Sequence, residues 1–262
     1  MMWCVIFSEG SDFRMKVLGI DTSTTSGSIG LIHDERVISE YILNLSVTHS
    51  ERLLDAIDLV LKKARYALGD LDGFAISLGP GSFTGVRIGV STVKGLAYAV
   101  QKPVAGVSTL DVLASQVSPT PYLICPIIDA RKGEVYSAFY RYEESNCLKR
   151  LSEYQAIRPE VLFGTLKERT IFLGDGVKTY GEDLRNSLKS FAIFSPTALH
   201  IPHGSAVARL GGELLLRREV LDLATFTPLY VRLSEAEIKW RDRQVPRPDH
   251  LGMGWIKGHN QK

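Results

Sequence analysis

The chain has 262 residues, a formal net charge of +2, and 45% hydrophobic and 23% charged residues. That length suits one large domain or two modest ones, and the composition is globular rather than fibrous or disordered. That net charge does not advertise a nucleic-acid partner, so any RNA role would need a local basic patch or another subunit, and no apolar run reaches the ~20 residues of a membrane span. Cys4, Cys125 and Cys147 lack CxxC spacing, which argues against a disulfide framework or zinc site and for a reducing, cytoplasmic setting.

Residues 1–14 hold a short apolar run without a basic leader, so no signal peptide is expected. Met15 opens a clean strand pattern, and the working hypothesis is that translation starts there, leaving 1–14 as an upstream extension. A peptide containing Trp3 in native protein would overturn it.

Val17–Ile20 reads as a buried strand, Asp21–Ser28 as a polar turn, and Ile29–Ile32 and Val37–Leu43 as the rest of a meander. Thr48 and Glu51 have capping-box spacing, and the helix that follows carries Leu53, Leu54, Ile57, Val60, Leu61 and Ala64 on one stripe. A strand at Gly73–Ser77 leads through the Gly79–Gly81 turn into a helix at Gly85–Val100, stopped by Pro103.

The second half repeats the scheme. Tyr122–Ile128 is a strand, Asp129–Gly133 a turn and Glu134–Tyr140 a return strand, followed by a helix near Pro159–Leu166. Thr170–Gly176 is a strand and glycine turn, and Val177–Leu188 a helix. ISLGPG at Ile76–Gly81 is mirrored by IFLGDG at Ile171–Gly176, each after a strand–Asp–strand hairpin, so two duplicated lobes facing a cleft are expected. After Trp240 the basic, proline-containing tail reads as disordered.

The cleft candidates are Asp21, Ser23, Thr24, Gly79 and Gly81 in the first lobe, and Asp129, Gly174 and Gly176 in the second. A polar hairpin beside a glycine turn and a helix N-terminus suits a phosphate, with a carboxylate for hydrated Mg²⁺. The same residue types also make ordinary turns. DARKGE, from Asp129, reads as a solvated hairpin tip, and no Walker lysine, GxSxG or HExxH motif is present. The helix Gly85–Val100 is apolar nearly all round, which two arrangements explain: burial inside the chain or a subunit interface. Gly85 and Gly89, four apart, would admit a second helix closely.

IDTSTTSGSIGL, THSERLLDAIDLVL, GFAISLGPGSFTGVRIGVSTVKGLAYAV, PVAGVSTLDVLA and IDARKGEVYSAFY resemble the TsaB family, strongly over Met15–Tyr140, and PLYVRLSEAEIKW (Pro228–Trp240) resembles its closing segment. The resemblance implies an α/β, actin-like ATPase (ASKHA) fold of two duplicated lobes with mixed sheets flanked by helices. It divides the chain into 15–115, carrying the dimerisation helices, 116–240 as the second lobe, and a tail at 241–262. It also implies a non-catalytic subunit that works with TsaD and TsaE to form N6-threonylcarbamoyladenosine in tRNA, cytoplasmic and homodimeric when alone.

In the paralogous TsaD the metal-binding histidines lie in GVNHLEGHL; here GVSTLDVLA puts Thr109 and Leu113 at those positions, so no metal is expected. Ser23 stands where the superfamily's phosphate hairpin has glycine, so the cleft is expected to hold nucleotide weakly or not at all. Contact with TsaD is expected at His49, Leu53, Ile57, Leu61, Val86, Arg87, Val90, Val93 and Ala97, and glutamate at Val90 and Val93 is expected to abolish pairing while leaving a folded lobe. Direct tRNA contact is left open. The competing readings are a stand-alone ATPase or small-molecule kinase, which predicts ATP turnover, and a metalloprotease, which predicts bound metal.

Overall fold

The computed structural model describes residues 2–4, 14–44 and 49–232, and Met1–Val231 form one unit. A short strand β1 (Met2–Cys4) precedes the expected meander of β2 (Lys16–Asp21), β3 (Ser26–His33) and β4 (Arg36–Asn44). Helix α1 (His49–Ala64), β5 (Gly73–Ser77), α2 (Phe83–Val100), β6 (Val104–Val107) and α3 (Thr109–Ser115) follow. The second half contains β7 (Leu123–Arg131), β8 (Glu134–Ser137), β9 (Tyr140–Tyr142), β10 (Cys147–Arg150), β11 (Gln155–Ile157), α4 (Pro159–Thr165), β12 (Thr170–Leu173), α5 (Gly176–Leu188), β13 (Ala192–Phe194) and α6 (Gly204–Leu216). The capping box at Thr48 and Glu51, most of the 1–14 extension and the whole 241–262 tail lie outside the described residues.

The expected α/β arrangement of two mixed sheets with flanking helices is observed. The first sheet has the order β4-β3-β2-β5-β6, with β2, β5 and β6 parallel and the meander antiparallel. The second has the order β1-β10-β9-β7-β12-β13, with β8 paired to β7 and β11 to β8. Period-two alternation along β2 divides the core. Leu18 and Ile20 join Ile29, Leu31, Phe74 and Ile76 under α1 and α2. Val17 joins Ile32, Ala75 and residues of α3 and α6 on the opposite side.

Helix α6, which the sequence pattern did not reveal, lies on that opposite face of the first sheet. Gly19 and Gly30 are cross-strand partners, and a Cβ on either would collide with the backbone of Gly204, Ser205 or Ala208. The helix therefore rests directly on the sheet. Its N-terminus is anchored on β3 and β4: Gly204 N donates to Ser28 Oγ (2.8 Å), Ser205 N to Glu40 Oε1 (2.8 Å), and His203 Nδ1 lies 3.1 Å from Glu40 Oε2. Helix α3 is tied to the second half through the buried Asp111 carboxylate, which accepts the hydroxyls of Tyr140 and Tyr154, each at 2.7 Å.

One expectation from cysteine spacing is corrected. Cys147 is disulfide-bonded, and the β1–β10 register sets it opposite Cys4. A bridge requires proximity in space, which spacing along the sequence does not report. Cys125 is free and buried, and burial pushes its thiol up to about 12.

Candidate functional site

The first hairpin and the glycine turn meet, but they meet each other. Strand β2 ends on the fully buried Asp21, whose carboxylate accepts the Ser23 amide at 3.0 Å and the Ser23 hydroxyl at 2.7 Å. Burial pushes the Asp21 carboxyl up to about 6; the Ser23 hydrogen bonds oppose the rise and the negative charge of Asp175 adds to it. Thr24 turns back to the Ser26 carbonyl at 3.0 Å.

Helix α2 starts against this hairpin. Ser82 is its N-cap, accepting the Gly85 amide at 3.2 Å, and Ser82 N donates to Ser23 O at 2.6 Å. The Thr22 hydroxyl donates to Gly85 O at 2.8 Å. A Cβ at Gly81 would strike Ser23 O, at Gly85 Thr22 O, and at Gly89 Thr22 Oγ1. These glycines permit close approach of the chain's own hairpin. Gly85 and Gly89 do not present a surface to a second helix, which corrects the expectation from their spacing.

The second half of the chain repeats the device. Gly174, with φ +99, and Gly176 both abut the Ile127 carbonyl, and Asp129 N donates to Asp175 Oδ1 at 3.1 Å. Burial raises the Asp175 carboxyl, with the nearby Asp129 charge adding to the effect. Asp129 in turn accepts Arg131 N at 2.8 Å, and Arg131 and Lys132 stand exposed at the hairpin tip. Gly79 (φ +101) accepts the Thr109 amide on its carbonyl at 2.9 Å.

These residues fit a phosphate poorly. In front of α2 an incoming anion meets the Thr22 and Ser23 carbonyl oxygens and the Asp21 carboxyl group, acceptors like itself, where a phosphate cradle presents N–H donors. Thr109 and Leu113 are both fully buried, Leu113 within the core that α3 and α6 share. A buried leucine offers no ligand atom, so the pair does not fit a metal. Among the described residues, no group of three or more His, Cys, Asp or Glu side chains is arranged to hold one, and no helix is long and apolar enough to cross a membrane.

The expected contact residues lie elsewhere than anticipated. Leu53, Ile57, Leu61, Val86, Val90, Val93 and Ala97 are all buried in the chain's own core, because α1 and α2 lie on one sheet face and their apolar stripes cover its side chains. Of the set only Arg87 is exposed; the His49 side chain lies outside the described residues. The outward faces carry Leu54, Asp58 and Leu59 on α1, and Arg87, Ser91, Gly95 and Tyr98 on α2.

Beyond the resemblance noted at Pro228–Trp240, sequence reasoning assigned no structure to the residues after α6. Leu221 N donates to Val104 O and Leu229 N to Leu78 O, each at 2.8 Å. Phe226 is buried among the residues under α2, and Tyr230 stacks on Phe83. The apolar run Phe226–Val231 was the available signal, but it has neither helix nor strand period.

Comparison with known proteins gives a consistent result. The family model described as TsaD, tRNA N6-adenosine threonylcarbamoyltransferase, matches residues 37–240. The tRNA threonylcarbamoyladenosine biosynthesis protein TsaB of Bacillus subtilis is 36% identical over 233 residues, covering 88% of this chain and all of the relative. The Escherichia coli protein of the same name is 33% identical over 156 residues, 59% of this chain and 67% of the relative. A crystal structure from Pseudomonas aeruginosa, described as similar to peptidase YeaZ, superposes with a TM-score of 0.71 at 30% identity, covering 83% of this chain and all of that one.

Proposed function

The chain belongs to the TsaB family of tRNA threonylcarbamoyladenosine biosynthesis proteins, and from that premise we propose that it is a non-catalytic subunit, docking to and supporting a TsaD transferase. In this reading TsaE completes the assembly, the product is N6-threonylcarbamoyladenosine in tRNA, tRNA contact is made through the partners, and the protein works in the cytoplasm. Residues 15–115 form the lobe that carries the pairing helices and 116–240 the second lobe.

The observation that carries this reading is the seat of Ser23. Its hydroxyl bonds Asp21 and its carbonyl occupies the start of α2, so the phosphate position of a working cleft is taken up by the protein itself. The burial of Thr109 and Leu113 at the positions of the partner's metal ligands points the same way. Pairing is assigned to the outward faces of α1 and α2, around Leu54, Leu59, Arg87, Ser91, Gly95 and Tyr98, in place of the buried stripe. The same faces support a homodimer when the partner is absent.

Reconstitution tests the proposal. Purified TsaD, TsaE, unmodified tRNA and the threonylcarbamoyl donor should yield modified adenosine only when this chain is added, and the chain alone should neither modify tRNA nor turn over ATP. ATP turnover by the isolated chain, or full modification without it, would replace this reading with the kinase or ATPase alternative.

A further inference from the structure

Strand β10 pairs on one side with β9. On the other it pairs antiparallel with β1, which sets Met2 opposite Lys149, Trp3 opposite Leu148 and Cys4 opposite Cys147. Strand β1 has three residues and lies near the chain terminus, where fraying costs little. Its partner is far along the chain, so the loop-closure entropy that opposes the pairing is large. A strand this short, paired this far away, needs a second hold.

Sulfur supplies that hold. The chain has the cysteines Cys4, Cys125 and Cys147. Cys147 is disulfide-bonded. Cys125 is free and fully buried, and the thiolate that exchange chemistry needs does not form there, because burial pushes its thiol up to about 12. That leaves Cys4, which the strand register already sets opposite Cys147. Cys147 itself is 2% exposed, so a dissolved thiol reaches the bond only when β1 lifts from the edge. Strand β1 also lies ahead of Met15, where the resemblance to the TsaB family begins, and outside residues 37–240 of the family match. The bond therefore belongs to this chain and not to the motifs it shares with its relatives.

We infer that Cys4 and Cys147 are a reversible thiol–disulfide switch, which fastens the N-terminal strand along the edge of the second sheet when oxidised and releases it when reduced. In the cytoplasmic setting proposed above a disulfide is usually transient and redox-sensing; the inference uses that setting and not the pairing with TsaD. The oxidant is a small-molecule disulfide of the glutathione class. The Cys4 thiolate attacks one of its sulfurs, forming a mixed disulfide and expelling one glutathione thiolate. The Cys147 thiolate then attacks the Cys4 sulfur and expels the second. Two electrons pass from the protein sulfurs to the glutathione disulfide, and the two protein thiol protons end on the two glutathione thiols. Excess reduced glutathione runs the same steps backwards. Release of β1 uncovers the outer backbone N–H and C=O groups of β10, a free sheet edge. Strand β10 itself stays seated: Leu148 is fully buried, and the Arg150 guanidinium stands 4.0 Å from the ring of Tyr154, whose hydroxyl bonds Asp111.

The full-length chain, equilibrated in glutathione buffers of graded thiol-to-disulfide ratio, quenched in acid and alkylated, tests the switch. Peptide mapping without reductant should find Cys4 joined to Cys147, in a fraction that rises and falls reversibly with the ratio, while Cys125 stays unlinked. Hydrogen exchange at the β10 amides should be at least about tenfold faster in the reduced chain than in the oxidised one. Cys4→Ser should exchange at the reduced rate at every ratio, and thermal melts confirm that it is folded; the wild-type mapping carries the test without any variant. Three results overturn the switch. One is Cys4 and Cys147 alkylated separately at every ratio. Another is a bond that excess reduced glutathione does not open in the folded protein, which makes it a fixed brace. The third is equal β10 exchange in the two states. None of these bears on the pairing with TsaD, which the reconstitution tests separately.

Discussion

The Thr22 hydroxyl donates a hydrogen bond to the Gly85 carbonyl at 2.8 Å, while a side chain at Gly85 would run into the Thr22 carbonyl. The first hairpin and the second helix are therefore fastened so closely that only glycine fits between them. Gly85→Ala should destabilise the chain by about 1–3 kcal/mol, the usual cost of overpacking where backbone cannot retreat. Chemical denaturation checks this, and the loss should exceed the modest gain in helix propensity from alanine.

Gly95 provides the opposite case on the same helix. With open space around its Cβ position, Gly95→Ala should stabilise the isolated chain by about 0.5–1 kcal/mol. Gly95→Glu should leave the chain folded and abolish pairing. Val90→Glu and Val93→Glu should instead unfold the chain around the first sheet, since Val90 is 5% and Val93 0% exposed and a charge buried there has no partner. Circular dichroism and analytical ultracentrifugation on the same samples separate the two outcomes. A folded, monomeric Val93→Glu would contradict the burial.

The clamp between Glu40 and His203 should be pH-dependent. The Glu40 hydrogen bond raises the His203 pKa above its usual 6.5, against the effect of burial. Burial works to raise the Glu40 carboxyl, but the bonds from His203 and Ser205 outweigh it and hold it below 4.5. The histidine contribution is fully present below pH 6.5 and lost as pH rises through the elevated pKa. The glutamate contribution is present above pH 4.5 and lost as pH falls through the depressed one. The pair therefore stabilises most between about pH 4.5 and 6.5. Glu40→Gln should remove on the order of 1 kcal/mol in that window and less at pH 9, measured by urea melts across pH.

Asp21 should act in the other direction. Its carboxyl is raised from 3.8 to about 6, mainly by burial, so the folded state holds a proton that the unfolded state has released. Stability from this group falls as pH rises from about 4 to about 6, by roughly 3 kcal/mol in all. Asp21→Asn should flatten that slope, because the amide has no charge to desolvate. An unchanged slope in Asp21→Asn would show that Asp21 is not the group titrating.

Much of the frame was legible from the residues. The meander, the two strand–glycine turns, helices α1, α2 and α5, and the repeat joining the two halves all carry strong periodic or turn signals. The family was legible because its motifs lie in those same segments. Helix α6 was not, since glycines at 204, 211 and 212 blur its stripe; a Cβ at Gly204 would strike the Gly30 backbone and one at Gly211 the Ala75 side chain, so the helix rests on the sheet there. The course of Val220–Val231 past Val104 and Leu78 and the disulfide at Cys147 were not either, because both depend on neighbours distant in sequence.

The sequence by itself determined that the chain is a two-sheet α/β protein of the TsaB family and where its glycine turns, hairpin carboxylates and amphipathic helices lie along it. Only the tertiary structure decided which way those features face. Periodicity reports that a helix has an apolar side but not what covers it, so Leu53, Val90 and Val93 read equally well as contact and as core. A glycine reports close approach but not the approaching group, which at Gly81 and Gly85 is the protein's own hairpin. Burial and approach are properties of neighbours in space, and those neighbours exist only once the chain has folded.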